Sequence, residues 1–296
     1  MRFLLSTLLL VVLVSCSSDD RSLNYPEVMG LVYSDSQHDF VTTYNALRSE
    51  IQHSDFRIHK EINFKNYAES NGKRSRETRM ILFSNPSLEA PLIQNKPEIG
   101  LEFPSRVLTY EDRNKYALVA YNKIEYLGRM YEVSDLGAIQ NLEASLAHIV
   151  SNSTGNTVLD NGSNIAGRNH MTIPSANSYI ETFNKLRNMI ADDDKLTLLE
   201  TIDHQENARL VGVDISPNRL LLLTTGDFEA NLIDKNQLSS VDLPIRILVW
   251  EDENNKTQIS YQNLDTLIYR HDMNSNIEGL ENVKNLLARM VIEAAN

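Results

Sequence analysis

The stretch PSRVLTYEDRNKYALVAYN, residues 104–122, returns in altered form as PIRILVWEDENNKTQISYQ, residues 244–262. Each stretch holds two runs of apolar, β-branched and aromatic residues around a polar segment rich in Asp and Asn, a pattern that predicts two strands joined by a tight turn. The second stretch begins 140 residues after the first (244 − 104). The repetition predicts that the chain contains two copies of one folded unit built around a β-hairpin.

The same spacing relates residues outside the hairpin. Positions that match at offsets of 140 or 141 include Ile62 and Ile202, Ala68 and Ala208, Gly72 and Gly212, Arg79 and Arg219, and Arg129 and Arg270. A period of this length exceeds that of a solenoid repeat and suits a duplicated domain. We therefore predict a first domain at 30–152, a linker rich in Asn, Ser, Thr and Gly at 153–168, and a second domain at 169–296.

Each unit has the same predicted order of elements. A first strand leads to a helix whose apolar residues recur at i, i+4, i+7 and i+11, as Phe40, Tyr44, Leu47 and Ile51 do in the first copy. Strands at 57–62 and 79–83, a loop with Pro or Gly, the hairpin, and a closing helix at 136–150 follow. This order predicts an α+β fold with helices on one face of an antiparallel sheet.

The N-terminal residues predict that the protein is exported. Met1 and Arg2 precede an apolar run of 12 residues, 3–14, which is too short to span a bilayer and suits a signal peptide at 1–15. The run ends in Leu13-Val14-Ser15-Cys16, which resembles a bacterial lipobox, in which Cys16 is acylated after cleavage. Residues 16–29 are then a polar tether. The alternative is a plain secretory signal with an incidental Cys.

The resemblance to a lipobox implies a lipid anchor in the bacterial cell envelope. Ser17-Ser18-Asp19-Asp20 resembles the acidic export signal of surface lipoproteins in Bacteroidetes-type bacteria, although a short polar tether has the same composition. We expect the outer membrane, with the periplasmic or surface face left open. Cys16 is the only Cys in the chain, so its acylation excludes disulfides, a Cys nucleophile and Cys metal ligands.

The charge of the chain excludes one class of partner. A formal net charge of −12 and the lack of a large basic patch argue against nucleic-acid binding, which needs clustered Lys and Arg.

The sequence also contains no nucleophile elbow, zinc-protease motif, phosphate loop or dinucleotide fingerprint. Asp192-Asp193-Asp194 lacks the spacing of a calcium loop and suits a solvated turn. No metal is predicted, and no cofactor can be named.

Motifs of the second unit resemble the DUF302 family. They are Asp203-His204, the segment 242–252, Ser260-Tyr261-Gln262 and Arg270-His271, within a resemblance that covers nearly all of 175–293. The first unit, about 36–152, is similar more loosely, with Asn63-Phe64 and Arg129-Met130 at the His-containing positions. The resemblance implies two tandem copies of a β-α-β4-α domain similar to the TATA-binding protein. Family members tend to pair, so we expect the two domains to pair within this chain.

Eight residues of the second unit are candidates for ligand binding. They are Asp203, His204, Arg246, Trp250, Glu251, Asp252, Arg270 and His271. Imidazole changes charge near neutral pH, so His204 and His271 suit a metal ligand or general base beside the carboxylates.

Each candidate also has a structural interpretation. Asp203-His204 suits a helix cap, and Arg270-His271 a helix or strand end. Arg246 suits an ion pair at the domain interface. Trp250 suits the core, and Glu251-Asp252 suits a strand end and turn.

Three functions remain open at this point. The first, which we favour, is non-catalytic binding of a small molecule or protein partner by a lipid-anchored envelope protein. The second is an enzyme or cofactor carrier, which requires Asp203, His204, Glu251, Arg270 and His271 to converge on one cavity. The third is a purely structural assembly module, which requires an exposed apolar patch.

Overall fold

The computed structural model describes residues 23, 25–164, 167–274 and 276–296. They form two antiparallel sheets, one per domain, with helices against them. Cys16 and the predicted signal peptide lie outside the described residues. Within these ranges, no helix is long and apolar enough to cross a membrane.

The first domain comprises a sheet, its helices and a short linker strand. Its elements are β1 (Leu31–Asp35), α1 (Phe40–Gln52), β2 (Arg57–Asn63), α2 (Phe64–Ser70), β3 (Thr78–Ser84), α3 (Pro86–Asn95), the 3-10 helix η1 (Pro97–Glu102), β4 (Ser105–Glu111), β5 (Ala117–Asn122), α4 (Ile124–Met130), α5 (Leu136–Thr154) and β6 (Leu159–Asp160). The strand order is β2-β3-β4-β5-β1-β6. The predicted linker thus adds its own short strand, β6, to the edge of the first sheet.

The second domain repeats this plan. Its elements are β7 (His170–Pro174), α6 (Tyr179–Asp192), β8 (Thr197–Asp203), α7 (His204–Leu210), β9 (Asn218–Thr224), α8 (Asp227–Lys235), the 3-10 helix η2 (Gln237–Asp242), β10 (Ile245–Glu251), β11 (Thr257–Gln262), α9 (Leu264–Arg270) and α10 (Leu280–Ala295). The strand order is β7-β11-β10-β9-β8. The α+β prediction, with two tandem copies of one unit, is confirmed.

Local chemistry accounts for the boundaries of these elements. Asp39 caps α1 by accepting hydrogen bonds from the backbone N–H groups of Val41 and Thr42, and Ser178 caps α6 in the same place. In the hairpin of the second domain, Asp252 accepts from two turn amides while Asn255 has a φ of 53°, which Asn tolerates better than most residues. The hairpin that reveals the repeat therefore forms as its sequence predicts.

One predicted segment is wrong. The stretch between the third strand and the hairpin, expected to be a loop with Pro or Gly, is a helix followed by a 3-10 turn in both copies. In the first copy Asn85 caps the helix and Pro86 occupies its first turn, where the missing N–H costs nothing. The helix then packs against α5 and α7.

The first sheet has a different partner on each face. Side chains such as Ile81 and Phe83 of β3 join one apolar cluster with α1 and α5. Their neighbours Met80 and Leu82 point the other way and join the apolar cluster of the second domain. Successive side chains of a strand alternate between faces, so both faces of the central strands are buried.

The two 3-10 helices connect the domains. Helix η1 packs on β9, β10 and β11 of the second sheet, and η2 packs on β3, β4 and β5 of the first. Equivalent hydrogen bonds secure both contacts: Asn218 Nδ2 donates to the Pro97 carbonyl at 2.9 Å, and Gln237 Nε2 donates to Thr78 Oγ1 at 2.5 Å. Each 3-10 helix therefore contacts the sheet of the other domain, at positions related by the 140-residue repeat.

Candidate functional site

The Asp203-His204 pair lies where β8 meets α7. Asp203 caps α7 through the Glu206 N–H and pairs with Arg219, whose Nη2 lies 2.7 Å from its Oδ2. His204 is buried, and its Nε2 lies 3.0 Å from the carbonyl oxygen of Gly100 in the other domain. Burial lowers the pKa of His204 to about 4. The imidazole is therefore a neutral donor in the interface at neutral pH.

The hairpin candidates have structural contacts. Trp250 is buried and donates from Nε1 to Ser260 Oγ at 2.9 Å. Asp252 accepts from the Asn254 and Lys256 amides and from the Gln258 side chain, so its carboxylate closes the turn. Glu251 ends β10 and is partly exposed.

Arg246 belongs to a buried charged group around Glu102. Glu102 Oε2 accepts from Arg106 Nη2 at 2.5 Å and from Arg246 Nη1 at 2.7 Å. Its Oε1 accepts from Tyr131 Oη at 2.9 Å and from Asn169 Nδ2 at 2.6 Å. One carboxylate of the first domain thus holds donors from both domains, which agrees with the interface role considered for Arg246.

Arg270 and His271 meet at Asp242, the counterpart of Glu102. Arg270 Nη1 donates to both Asp242 oxygens at 2.7 and 2.9 Å, and His271 Nε2 lies 2.7 Å from Asp242 Oδ2. The first domain contributes Asn122, which donates to Asp242, and Tyr126, whose ring lies 4.8 Å from the Arg270 guanidinium. Arg270 also donates to the backbone carbonyl of Met29 at 2.9 Å, which links it to the N-terminal segment.

The surroundings of this group shift its pKa values. Burial by itself would raise the pKa of Asp242, but the charge of Arg270 and the hydrogen bond from His271 hold it well below its usual range. Burial lowers the pKa of His271, although Asp242 opposes that shift. Asp242 therefore stays ionised in the interface, with Arg270 as its counter-charge.

The sequence-predicted candidates separate into different contacts. Asp203 pairs with Arg219, His204 reaches Gly100, and Arg270 and His271 share Asp242. The single cavity required for an enzyme site on Asp203, His204, Glu251, Arg270 and His271 is not formed. In the part of the chain that the structure describes, no three His, Cys, Asp or Glu side chains come together as metal ligands would.

Sequence reasoning missed Glu102 and Asp242 as members of the buried groups. A signal was present: each copy has an acidic residue four positions before its motif arginine, Glu102 before Arg106 and Asp242 before Arg246. The space beside these groups is small. A cavity of about 10 Å³ touches Asp242, Arg246 and Arg270, enough for about one water molecule. The groups therefore suit domain pairing better than ligand binding.

A second space between the domains is much larger than the cavity beside Asp242. A cleft of about 470 Å³ lies between β2 and α2 of the first domain and β8, β9 and α8 of the second. Its volume lies in the usual range of small-molecule sites. The lining residues with apolar side chains are Ile62, Phe64, Leu199, Leu243 and Pro244, joined by the ring of Tyr67.

Polar groups of both domains meet in this cleft. Tyr67 Oη of the first domain forms a short hydrogen bond with Thr224 Oγ1 of the second. Glu229, which is 2% exposed, lines the cleft and accepts from the backbone N–H and Oγ1 of Thr225. Burial raises the pKa of Glu229. Tyr67 and Thr224 also line a second, larger cleft of about 990 Å³.

The fold and the interface define a class of protein, a fused pair of α+β domains that share a buried charged interface. The chain belongs to the DUF302 family, described as a domain of unknown function, whose sequence profile matches residues 32–153 and 171–294. The crystal structure of the uncharacterized conserved protein DUF302 from Bacillus stearothermophilus is similar at 19% identity and a TM-score of 0.39, covering 43% of this chain and 98% of that one. A search of curated proteins gives no match.

Proposed function

We propose that this protein is a lipid-anchored protein of the cell envelope whose paired DUF302 domains bind a small molecule without catalysis. The observation that carries the proposal is the cleft of about 470 Å³, because its apolar walls and its converging polar groups come from both domains. Sites of this composition at domain junctions are typical of ligand binding. The binding site then exists only when the two domains are paired.

The cleft differs from its counterpart in the symmetric half. Phe64 and Tyr67 line it, whereas the equivalent positions hold His204 and Asn207. In that half, His204 bonds to Gly100, and His59 Nε2 lies 2.6 Å from Ser84 Oγ. His204 is the counterpart of the cleft residue Phe64, and His59 and Ser84 are the counterparts of Leu199 and Thr224. The duplication therefore supports one specialised site per chain.

Binding is tested with the neutral apolar fluorophore N-phenyl-1-naphthylamine. We expect the protein to bind it, and Ser70→Trp, at an exposed position on the cleft rim, to weaken binding at least tenfold. Leu210→Trp, at the equivalent exposed position of the second domain, is the matched control and leaves binding unchanged. Equal binding by both variants would remove the cleft as the site and direct the search to a protein partner.

The anchor is tested separately. The sequence Leu13-Val14-Ser15-Cys16 supports acylation at Cys16, and several acyl chains on one residue hold a protein firmly in a bilayer. We expect the full chain, expressed in a bacterium that processes lipoproteins, to partition into the detergent phase of Triton X-114, and Cys16→Ser to partition into the aqueous phase. Partition of both forms into the aqueous phase would refute the anchor.

A further inference from the structure

Two ionisable side chains of the cleft, Lys60 and Glu229, have no ion-pair partner among the described residues. A third charged residue, Glu61, also lines it. Glu61 is already engaged, because Tyr44 Oη and Arg48 Nε both donate to its carboxylate. The charges that remain for a ligand are therefore one cation and one carboxyl group.

Lys60 lies on β2 at the junction with β8. Its Nζ donates to the backbone carbonyl of Leu199 at 3.2 Å, which is a neutral acceptor. An ammonium has three donors, so this bond leaves capacity for a carboxylate. The Leu199 bond also holds the Lys60 side chain across the domain junction, where it borders the cleft.

Glu229 lies in the first turn of α8. It accepts hydrogen bonds from Thr225, whose N–H is shared between the two carboxylate oxygens, and it also interacts with the hydroxyls of Thr224 and Tyr67. All of these partners are neutral, so none of them supplies a counter-charge to the carboxylate. A buried carboxylate without a cation is costly, and a ligand ammonium would provide the missing counter-charge.

Glu89, the equivalent of Glu229 in the first domain, does not line the cleft. Glu89 is also buried, but it accepts from Ser105 Oγ at 3.2 Å. Glu229 is thus the member of the pair that is positioned to meet a ligand.

We propose that the ligand is a zwitterion with an apolar body, of the kind represented by an apolar α-amino acid. This inference rests on the proposed function. Glu229 binds the ammonium group, Lys60 binds the carboxylate, and the apolar body lies among Phe64, Leu243 and the other apolar walls. A ligand with only an amine would lose the contact with Lys60 and place its positive charge near that lysine. A ligand with only a carboxylate would lose the contact with Glu229 and place its negative charge near that glutamate. Each therefore loses one attraction and gains a repulsion.

Three compounds with one skeleton test the head-group requirement: L-phenylalanine, phenethylamine and 3-phenylpropionate. Each is titrated against the full chain loaded with N-phenyl-1-naphthylamine. Because a hydrogen bond to a charged group is a strong one, we expect L-phenylalanine to displace the fluorophore at least tenfold more tightly than either truncated compound. Equal displacement by all three would overturn the zwitterion proposal.

Two variants assign the contacts. Glu229→Gln is expected to make L-phenylalanine bind no more tightly than 3-phenylpropionate, and Lys60→Met to make it bind no more tightly than phenethylamine. The matched controls are Glu89→Gln, at the equivalent buried position, and Lys65→Met, a lysine of α2 that pairs with Glu77. The controls keep the tenfold preference. Loss of the preference in the controls, or its persistence in both test variants, would contradict the assignment.

The outcomes separate the two proposals. If the fluorophore binds in a manner sensitive to Ser70→Trp but none of the three compounds displaces it, the zwitterion class is wrong and the binding cleft stands. If the fluorophore itself does not bind, both proposals fail. Circular dichroism of each variant establishes that it is folded, and the comparison of the three compounds on the unmodified chain does not depend on any variant.

Discussion

Arg246 of the second domain donates to Glu102 of the first at 2.7 Å, with the two side chains 2% and 1% exposed. Arg106, the counterpart of Arg246, binds the same carboxylate oxygen at 2.5 Å. Two guanidinium groups from different domains therefore depend on one carboxylate. Burying these three charged side chains away from water costs free energy. Their mutual attraction offsets that cost only while the two domains keep them in this geometry.

Glu102→Gln is expected to destabilise the protein by about 3–5 kcal/mol, because it leaves buried guanidinium groups without their counter-charge. Urea denaturation at pH 7, followed by the fluorescence of Trp250, measures the change in the free energy of unfolding. The control is Glu206→Gln, which breaks the exposed pair with Arg209 and has little effect. A loss below about 1 kcal/mol for Glu102→Gln, the range of exposed pairs, would contradict the interface role.

Stability is expected to fall by about 2 kcal/mol between pH 7 and pH 5 through His204, whose pKa burial lowers to about 4. The unfolded chain binds a proton near pH 6.5 and the folded chain only near pH 4, so acid favours unfolding in this window. His271, also with a lowered pKa, adds to the fall in the same direction. The measurement is urea denaturation at a series of pH values.

His204→Asn tests this assignment, because it keeps a hydrogen-bond donor near Gly100 and removes the titrating group. We expect the variant to lose stability less steeply below pH 7 than the unmodified protein. His53→Asn, at the exposed end of α1, is the control. The same pH slope in the His204→Asn protein and the unmodified protein would show that His204 does not titrate in this window.

Gly30→Ala is expected to cost at least about 2 kcal/mol, because strain at positive φ adds to overpacking. Gly30 has a φ of 65°, and an added Cβ would lie 2.1 Å from the Tyr126 ring. Gly72 has a similar φ of 71°, but its Cβ would meet nothing within 4 Å among the described residues. Gly72→Ala should therefore cost only about 1 kcal/mol. Thermal denaturation compares the two variants, and equal losses would contradict the close packing of Tyr126.

The two domains are expected to unfold together, since one apolar cluster includes residues of both. Trp250, the only Trp, reports on the second domain, whereas far-ultraviolet circular dichroism reports on both. Leu142→Ala makes a cavity under α5 in the first domain and should cost about 2–5 kcal/mol. We expect the Trp250 transition to shift as far as the dichroism does. An unshifted Trp250 transition would show that the domains unfold independently.

Much of the fold could be predicted from local patterns. The repeat, the hairpins and the helix with Phe40, Tyr44, Leu47 and Ile51 on one face are properties of residues close in sequence, and the first helix buries these four side chains. The sequence predicts a loop instead of α3 because of Pro86, Pro91 and Pro97, and a loop instead of α8 because of Gly226. Packing of α3 against α5 and α7 outweighs that local preference.

The candidate site was less accessible to such reasoning. His204 and Arg270 belong to recognisable motifs, but a motif does not show which partner its side chain meets. The cleft combines Tyr67 with Thr224 and Glu229, more than 150 residues away in sequence. No local pattern predicts that meeting, since it depends on how the two sheets are placed against each other.

The sequence by itself determined that this chain is a duplicated α+β protein, where most of its strands and helices lie, and which face of the first helix of each unit is buried. These properties follow from periodicity, turn chemistry and capping, which act between neighbours. Only the tertiary structure decided that Glu102 forms an ion pair with Arg246 and that Glu229 lines a cleft between the domains. Charges and cavity walls act through distances in space, and those distances exist only after the two domains have packed.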